Sequence, residues 1–138
     1  MTTRPTVVQP EGFARPRGYS NGMMASGRVL AVAGQIGWDE QCRLVSADFV
    51  PQLDRALANV VAVVRAAGGG PGDIIDMTIF VTDLDAYRNG GAAIGEAWRA
   101  HMGRHYPAMA LIGCAGLVEK GALVEIQATA VLPDREET

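Results

Sequence analysis

The sequence predicts an α+β domain: one sheet of about five strands with two helices packed on one face, in the order β-β-α-β-α-β-β. Three observations carry this expectation. One long apolar stripe has helical spacing, several short runs have strand character, and the chain is the size of one domain. At 138 residues, with 49% hydrophobic and 20% charged side chains, it can bury a core without disulfides or a metal. The expected organisation is a single domain over residues 1–138, with an amino-terminal arm over 1–17, a core over about 18–132 and a charged, frayed tail over 133–138.

Residues 29–33, Val-Leu-Ala-Val-Ala, lie between Gly27 and Gly34 and read as a buried strand. Residues 19–25 precede it across Ser26-Gly27, which predicts an opening hairpin. Phe49, Leu53, Leu57, Val60, Val61 and Val64 recur at intervals of three and four, one stripe of a helix. Ser46 or Asp48 can cap its start, Pro51 is tolerated in the first turn because its missing N–H would lack a helical partner, and Gly68 supplies a left-handed stop.

Residues 74–82 form the next strand, with Ile75, Met77, Ile79 and Val81 on one side and Asp76, Thr78, Phe80 and Thr82 on the other. A second helix over about 87–102 turns Ile94, Trp98 and Met102 inward, and Gly90-Gly91 weakens its start. Residues 108–114 and 123–132 give two further strands, joined by a hairpin connection over 117–121.

Two helices cover only one face of such a sheet, so the other must go somewhere. In the last strand Val124, Ile126, Ala128 and Ala130 suit the helices, whereas the opposite parity carries Glu125, Gln127 and Thr129. The strand before it is apolar in both parities. Left bare, that surface would be sticky, which predicts a homo-oligomer with Glu125 near a subunit interface.

Several function classes fall away on composition. With 12 basic and 15 acidic residues the net charge is −3, so no broad cationic field attracts a phosphate backbone, and nucleic-acid partners are not expected. Cys42 and Cys114 lack metal-ligand or disulfide spacing. His101 and His105 stand four apart, but Gly103 interrupts them and no third ligand is evident, so a solvated helix end is favoured over a metal site. Cys114 reads as an inert buried thiol and Cys42 as an exposed loop residue without activation. The glycine run at 68–72 lacks the Lys-Ser/Thr ending of a phosphate loop. No leader pattern and no apolar run of membrane-spanning length is found, which predicts a cytoplasmic protein with no membrane partner.

The residues Gly18-Tyr19-Ser20, Val32-Ala33-Gly34-Gln35-Ile36, Thr78-Ile79-Phe80-Val81-Thr82-Asp83-Leu84, Tyr106-Pro107-Ala108 and Leu123-Val124-Glu125-Ile126, with parts of the first helix, occur in this order over residues 18–131. The chain thereby resembles the RidA (YjgF/YER057c/UK114) family of small enamine and imine deaminases. The resemblance implies a chorismate-mutase-like α+β fold and a homotrimer with clefts between subunits, working without a metal or organic cofactor. It also implies a chemistry in which water adds to an imine carbon. In deaminating members an arginine of a Pro-Ala-Arg motif clamps the substrate carboxylate and a glutamate on the last strand positions the water.

Carried over residue by residue, Glu125 matches the water-orienting glutamate, Tyr19 the cleft tyrosine and Gly34 the turn glycine. The arginine does not carry over: its position holds Met109 in Pro107-Ala108-Met109-Ala110, and Leu111 stands where a cysteine is usual. An asparagine common in the second helix falls near Gly91. A thioether supplies neither charge nor donors, so Met109 cannot grip a carboxylate as a guanidinium does. Three readings follow: hydrolysis of a neutral or differently anchored imine, enamine or related small molecule; binding of a small metabolite without chemistry; or a structural trimer. An RNA-cleaving role sometimes attached to the family finds little support in the acidic balance.

Each candidate has a plainer alternative. Glu125 is either an acid/base group in a cleft or half of an interface salt bridge. Tyr19 either donates to a ligand or packs with its hydroxyl in water. Trp38 is a cleft wall or a loop anchor, and Met109 and Leu111 are packing residues that would also make a cleft floor apolar.

Overall fold

The last strand of the chain takes the middle of the sheet. The structure, a computed structural model, describes residues 4–134. Its elements are β1 (Thr6–Val8), β2 (Gly22–Met24), β3 (Arg28–Ile36), α1 (Phe49–Ala66), β4 (Ile74–Val81), α2 (Leu84–Arg88), α3 (Gly91–Met102), β5 (Ala108–Gly113) and β6 (Val124–Leu132). The main sheet runs β3-β6-β4-β5, with β6 antiparallel to both neighbours and β5 parallel to β4. Strands β3 and β4 therefore run the same way with β6 inserted between them, a split β-α-β unit crossed by α1. Residues 1–3 of the expected arm and 135–138 of the expected tail lie outside the described residues.

Two pairings differ from the sequence reading. The predicted opening hairpin does not form: β2 pairs with β1, inside the expected arm, and β3 pairs with β6. Gly27 explains the separation. It lies at φ +146° against the Leu132 carbonyl, where any Cβ would collide, so the chain turns there to run beside β6 rather than back on β2. The predicted closing hairpin is also absent, since β5 stays on the β4 edge and residues 114–123 carry the chain across to the centre. Local composition marked these as turns, but only a central position gives the backbone of β6 partners on both sides. Instead of one sheet of about five strands, the described residues form a sheet of four strands and a separate β1-β2 ribbon.

One face of the sheet is sealed by the helices. Helix α1 buries Leu53, Leu57, Val60 and Val64 against Val124, Ile126, Ala128 and Ala130 of β6, all at most 2% exposed. This matches the apolar parity of β6. In β4 a bulge at Ile75 lets Ile74 rather than Ile75 join Met77, Ile79 and Val81 in the core.

The helix ends follow local chemistry. Gly68 takes φ +94° and the Gly69 N–H donates to the Val64 carbonyl at 3.0 Å, which closes α1. At its start the Asp48 side chain makes no cap bond; Ser46 Oγ instead accepts from the Asp48 N–H at 3.0 Å. The second predicted helix is two, because Gly91 at φ +54° separates α3 from α2, whose first turn is capped by Asp83 accepting from the Asp85 N–H.

The fully buried Gln52 fixes the start of α1. Its Nε2 donates to the Ser46 and Gly121 carbonyls at 2.9 and 3.0 Å, and its Oε1 accepts from the Leu123 N–H at 2.8 Å. The amide thus ties α1 to the segment that delivers β6. Gln52→Leu would leave two carbonyls and one N–H, all partly buried by the side chain that now pairs them, without that partner. We expect a destabilisation of about 3 kcal/mol, read from the urea midpoint.

Candidate functional site

Against the edge strand β5, where it meets α1 and α3, lies a cavity of about 300 Å³. Ile79, Met109 and Leu111 supply its sheet side and Leu53 and Leu57 its helical side. Trp98 and Tyr106 stack at 5.9 Å between centroids and 4° between planes, and both line the cavity. The Trp98 indole N–H donates to the His105 carbonyl at 3.2 Å, so the stacked pair is fixed from outside.

Tyr19 reaches this cavity because its neighbour is pinned. The Ser20 N–H donates to the Pro107 carbonyl at 3.1 Å, Ser20 Oγ donates to the Tyr106 carbonyl at 2.6 Å, and Ser20 bridges Ala108 in parallel. These bonds extend the β5 edge by one residue and hold Arg17, Gly18 and Tyr19 over the cavity. Tyr19 stays 43% exposed, so its phenol is accessible from solvent.

Glu125 and Gly34 lie elsewhere. Glu125 pairs across from Phe80 on β4, while Met109 pairs with Met77, one of the helix-covered residues. By the alternation of the pleat, Glu125 and Met109 project from opposite faces of the sheet. On the uncovered face a Cβ at Gly34 would sit 2.7 Å from Glu125 Oε2, so any other residue there would make the carboxylate shift from its present place. Glu125 is half-buried and makes no hydrogen bond or ion pair among the described residues. The same face carries the polar Gln127 and Thr78 beside it, the exposed apolar Ile112 (44%) and Ala110 towards β5, and Ala31, Ala33 and Val29 (73%) along β3.

Trp38 lines neither this cavity nor a larger neighbouring one. It bridges Leu44 in the loop after β3, which Asn59 secures by donating from Nδ2 to the Ile36 and Trp38 carbonyls at 3.0 and 2.8 Å. In the same loop the Arg43 and Gln41 N–H groups donate to Asp39 and hold its carboxyl below the usual range. The two histidines are not a solvated helix end: His101 Nε2 meets Asp54 Oδ1 at 2.9 Å and His105 Nε2 meets the Ile74 carbonyl at 2.7 Å, both half-buried. Cys114 is half-buried rather than buried, and Cys42 is exposed at φ +60°.

Sequence reasoning missed the arginines. The acidic balance promised no basic patch, yet Arg15, Arg17 and Arg104 border the larger cavity of about 900 Å³, and Arg17 and Arg99 border the smaller one. Net charge averages over the surface and carries no such local information. The stacking of Tyr106 on Trp98 has no signal in the neighbouring sequence.

A sequence profile described as Endoribonuclease L-PSP matches residues 12–132. The 2-iminobutanoate/2-iminopropanoate deaminase of Escherichia coli strain K12 is 35% identical over 108 residues, 76% of this chain and 80% of that protein. Among solved structures, the Rid-family protein YyfB from Yersinia pestis superposes with a TM-score of 0.81 at 31% identity, covering 94% of this chain and 99% of that one. The YjgF gene product of E. coli gives 0.65 at 34% identity, covering 82% and 87%. No helix among the described residues is long and apolar enough to cross a membrane.

The Ser20 contacts make a local prediction. Ser20→Ala removes the bond to the Tyr106 carbonyl and should loosen residues 18–20 at a cost of about 1 kcal/mol. Amide hydrogen exchange at Ser20 should then quicken several-fold while the amides of β6 keep their protection.

Proposed function

The chain belongs to the Endoribonuclease L-PSP family, the RidA (YjgF/UK114) group, and from that membership we propose that it hydrolyses a small imine or enamine in a cleft between subunits of a homotrimer. The observation that carries the reading is Glu125: a half-buried carboxylate without a partner among the described residues, given space by Gly34. A charged group on an apolar face is costly unless water or a ligand solvates it. Water held there is the natural occupant.

In this scheme Glu125 accepts a proton from the water as its oxygen bonds to the imine carbon and passes it to the nitrogen, giving a neutral tetrahedral amino alcohol. The carboxylate then takes the hydroxyl proton and delivers it to the nitrogen as the C–N bond breaks, and the products are a carbonyl compound and ammonia. An enamine enters the route once a proton moves from its nitrogen to its carbon, which gives the imine. No metal or organic cofactor takes part.

The placement of the two halves of the site supports self-association. Glu125 and the Met109 cavity face opposite sides of one sheet, so a single chain does not bring them to one substrate. A neighbour that covers Val29, Phe80 and Ile112 would remove exposed apolar surface and could set its own β5 edge beside Glu125. The substrate is neutral, or is anchored elsewhere than position 109, because Met109 provides no charge. That same absence favours one second reading, a trimer that binds a small metabolite in the cleft without turning it over.

The test is ammonia release from freshly generated imines. Glu125→Gln should lower the rate by about 100-fold or more, with the trimer mass by light scattering unchanged. Equal turnover in that variant removes the acid/base role. A silent natural protein that gains activity as Met109→Arg supports the binding-only reading instead.

A further inference from the structure

We infer that the cavity at the β5 edge takes a small carboxylate with an apolar body, and that Arg99 and Arg17 hold the carboxylate that position 109 does not. The inference rests on the proposed imine hydrolysis for the class of ligand, and it is tested by binding alone.

Both arginines line the same cavity as Met109, and its lining contains no aspartate or glutamate. Neither makes an ion pair among the described residues, where the ion pairs are Arg55 with Glu40, Arg88 with Asp85 and His101 with Asp54. Both are exposed to solvent, so the two charges border an apolar hollow with no carboxylate partner. Arg99 is also positioned. It lies one helical turn after Gly95, and a Cβ at Gly95 would sit 3.1 Å from Arg99 Nη1, tighter than ordinary contact. The guanidinium therefore lies back along α3 over a residue that has no side chain, towards the cavity that both residues border. Arg17 comes from a different part of the chain, the segment that Ser20 pins to β5.

The size and floor of the cavity set the rest of the ligand. About 300 Å³ is at the small end of ligand sites and admits one compact molecule. Leu57, Ile79, Met109 and Leu111 offer its far end no hydrogen bond, so they select an apolar branched or aromatic group. A 2-oxo or 2-imino acid with such a side chain satisfies both ends.

The probe is α-ketoisocaproate, titrated calorimetrically into the full chain in its assembled state. It should bind the natural protein, and Arg99→Gln and Arg17→Gln should each weaken it about tenfold or more, the worth of a charge-assisted hydrogen bond. The uncharged methyl isobutyl ketone should bind all three proteins alike. Arg88→Gln, outside the cavity, should leave the α-ketoisocaproate affinity unchanged. No binding to the natural protein, unaltered affinity in both cavity variants, or an equal loss in Arg88→Gln overturns the assignment. Glu125-dependent ammonia release from an uncharged imine would survive that failure; conversely, Arg99-dependent binding without any hydrolysis would keep the anchor and remove the enzyme.

Discussion

The insertion of β6 between β3 and β4 is the constraint on which the rest of the structure depends. A central strand has partners on both edges, so its side chains alone decide what each face of the sheet becomes. Val124, Ile126, Ala128 and Ala130 face α1 and are sealed. The other parity faces outward and places Glu125 across from Phe80, on a face that mixes Gln127 and Thr78 with exposed apolar side chains of β3 and β5. One strand thereby makes the core and exposes the carboxylate. A slip of one residue would exchange the two.

The same constraint divides the candidate site. The edge cavity, with Met109, Leu111 and the Trp98–Tyr106 pair, is built on the covered side, whereas Gly34 and Glu125 are on the open side. Each half is fixed by its own supports: the Ser20 bonds for the cavity mouth, and the close approach of glycine for the carboxylate. Joining them takes a second copy of the chain. In the proposed trimer, self-association therefore does more than cover apolar surface, because it completes a site that the subunit holds in two pieces.

Met109 changes the chemistry more than the fold. The Met109 thioether forms part of the apolar floor beside Leu111 and brings no charge to it. The cationic groups at this cavity come instead from Arg17 and Arg99, on the arm and on α3.

The sequence by itself determined the helix over Phe49–Ala66, its stop at Gly68, the inward parity of β6, and the exposed apolar face with Glu125 on it. These follow from local periodicity and local backbone preference, which are written in neighbouring residues. Tertiary structure alone decided that β2 would leave β3 for β1, that β6 would enter the centre of the sheet, and that Arg17 and Arg99 would border one hollow. Each of those joins segments far apart in the chain. Which strand edge or surface they meet depends on competition among all available partners, and no run of adjacent residues records its outcome.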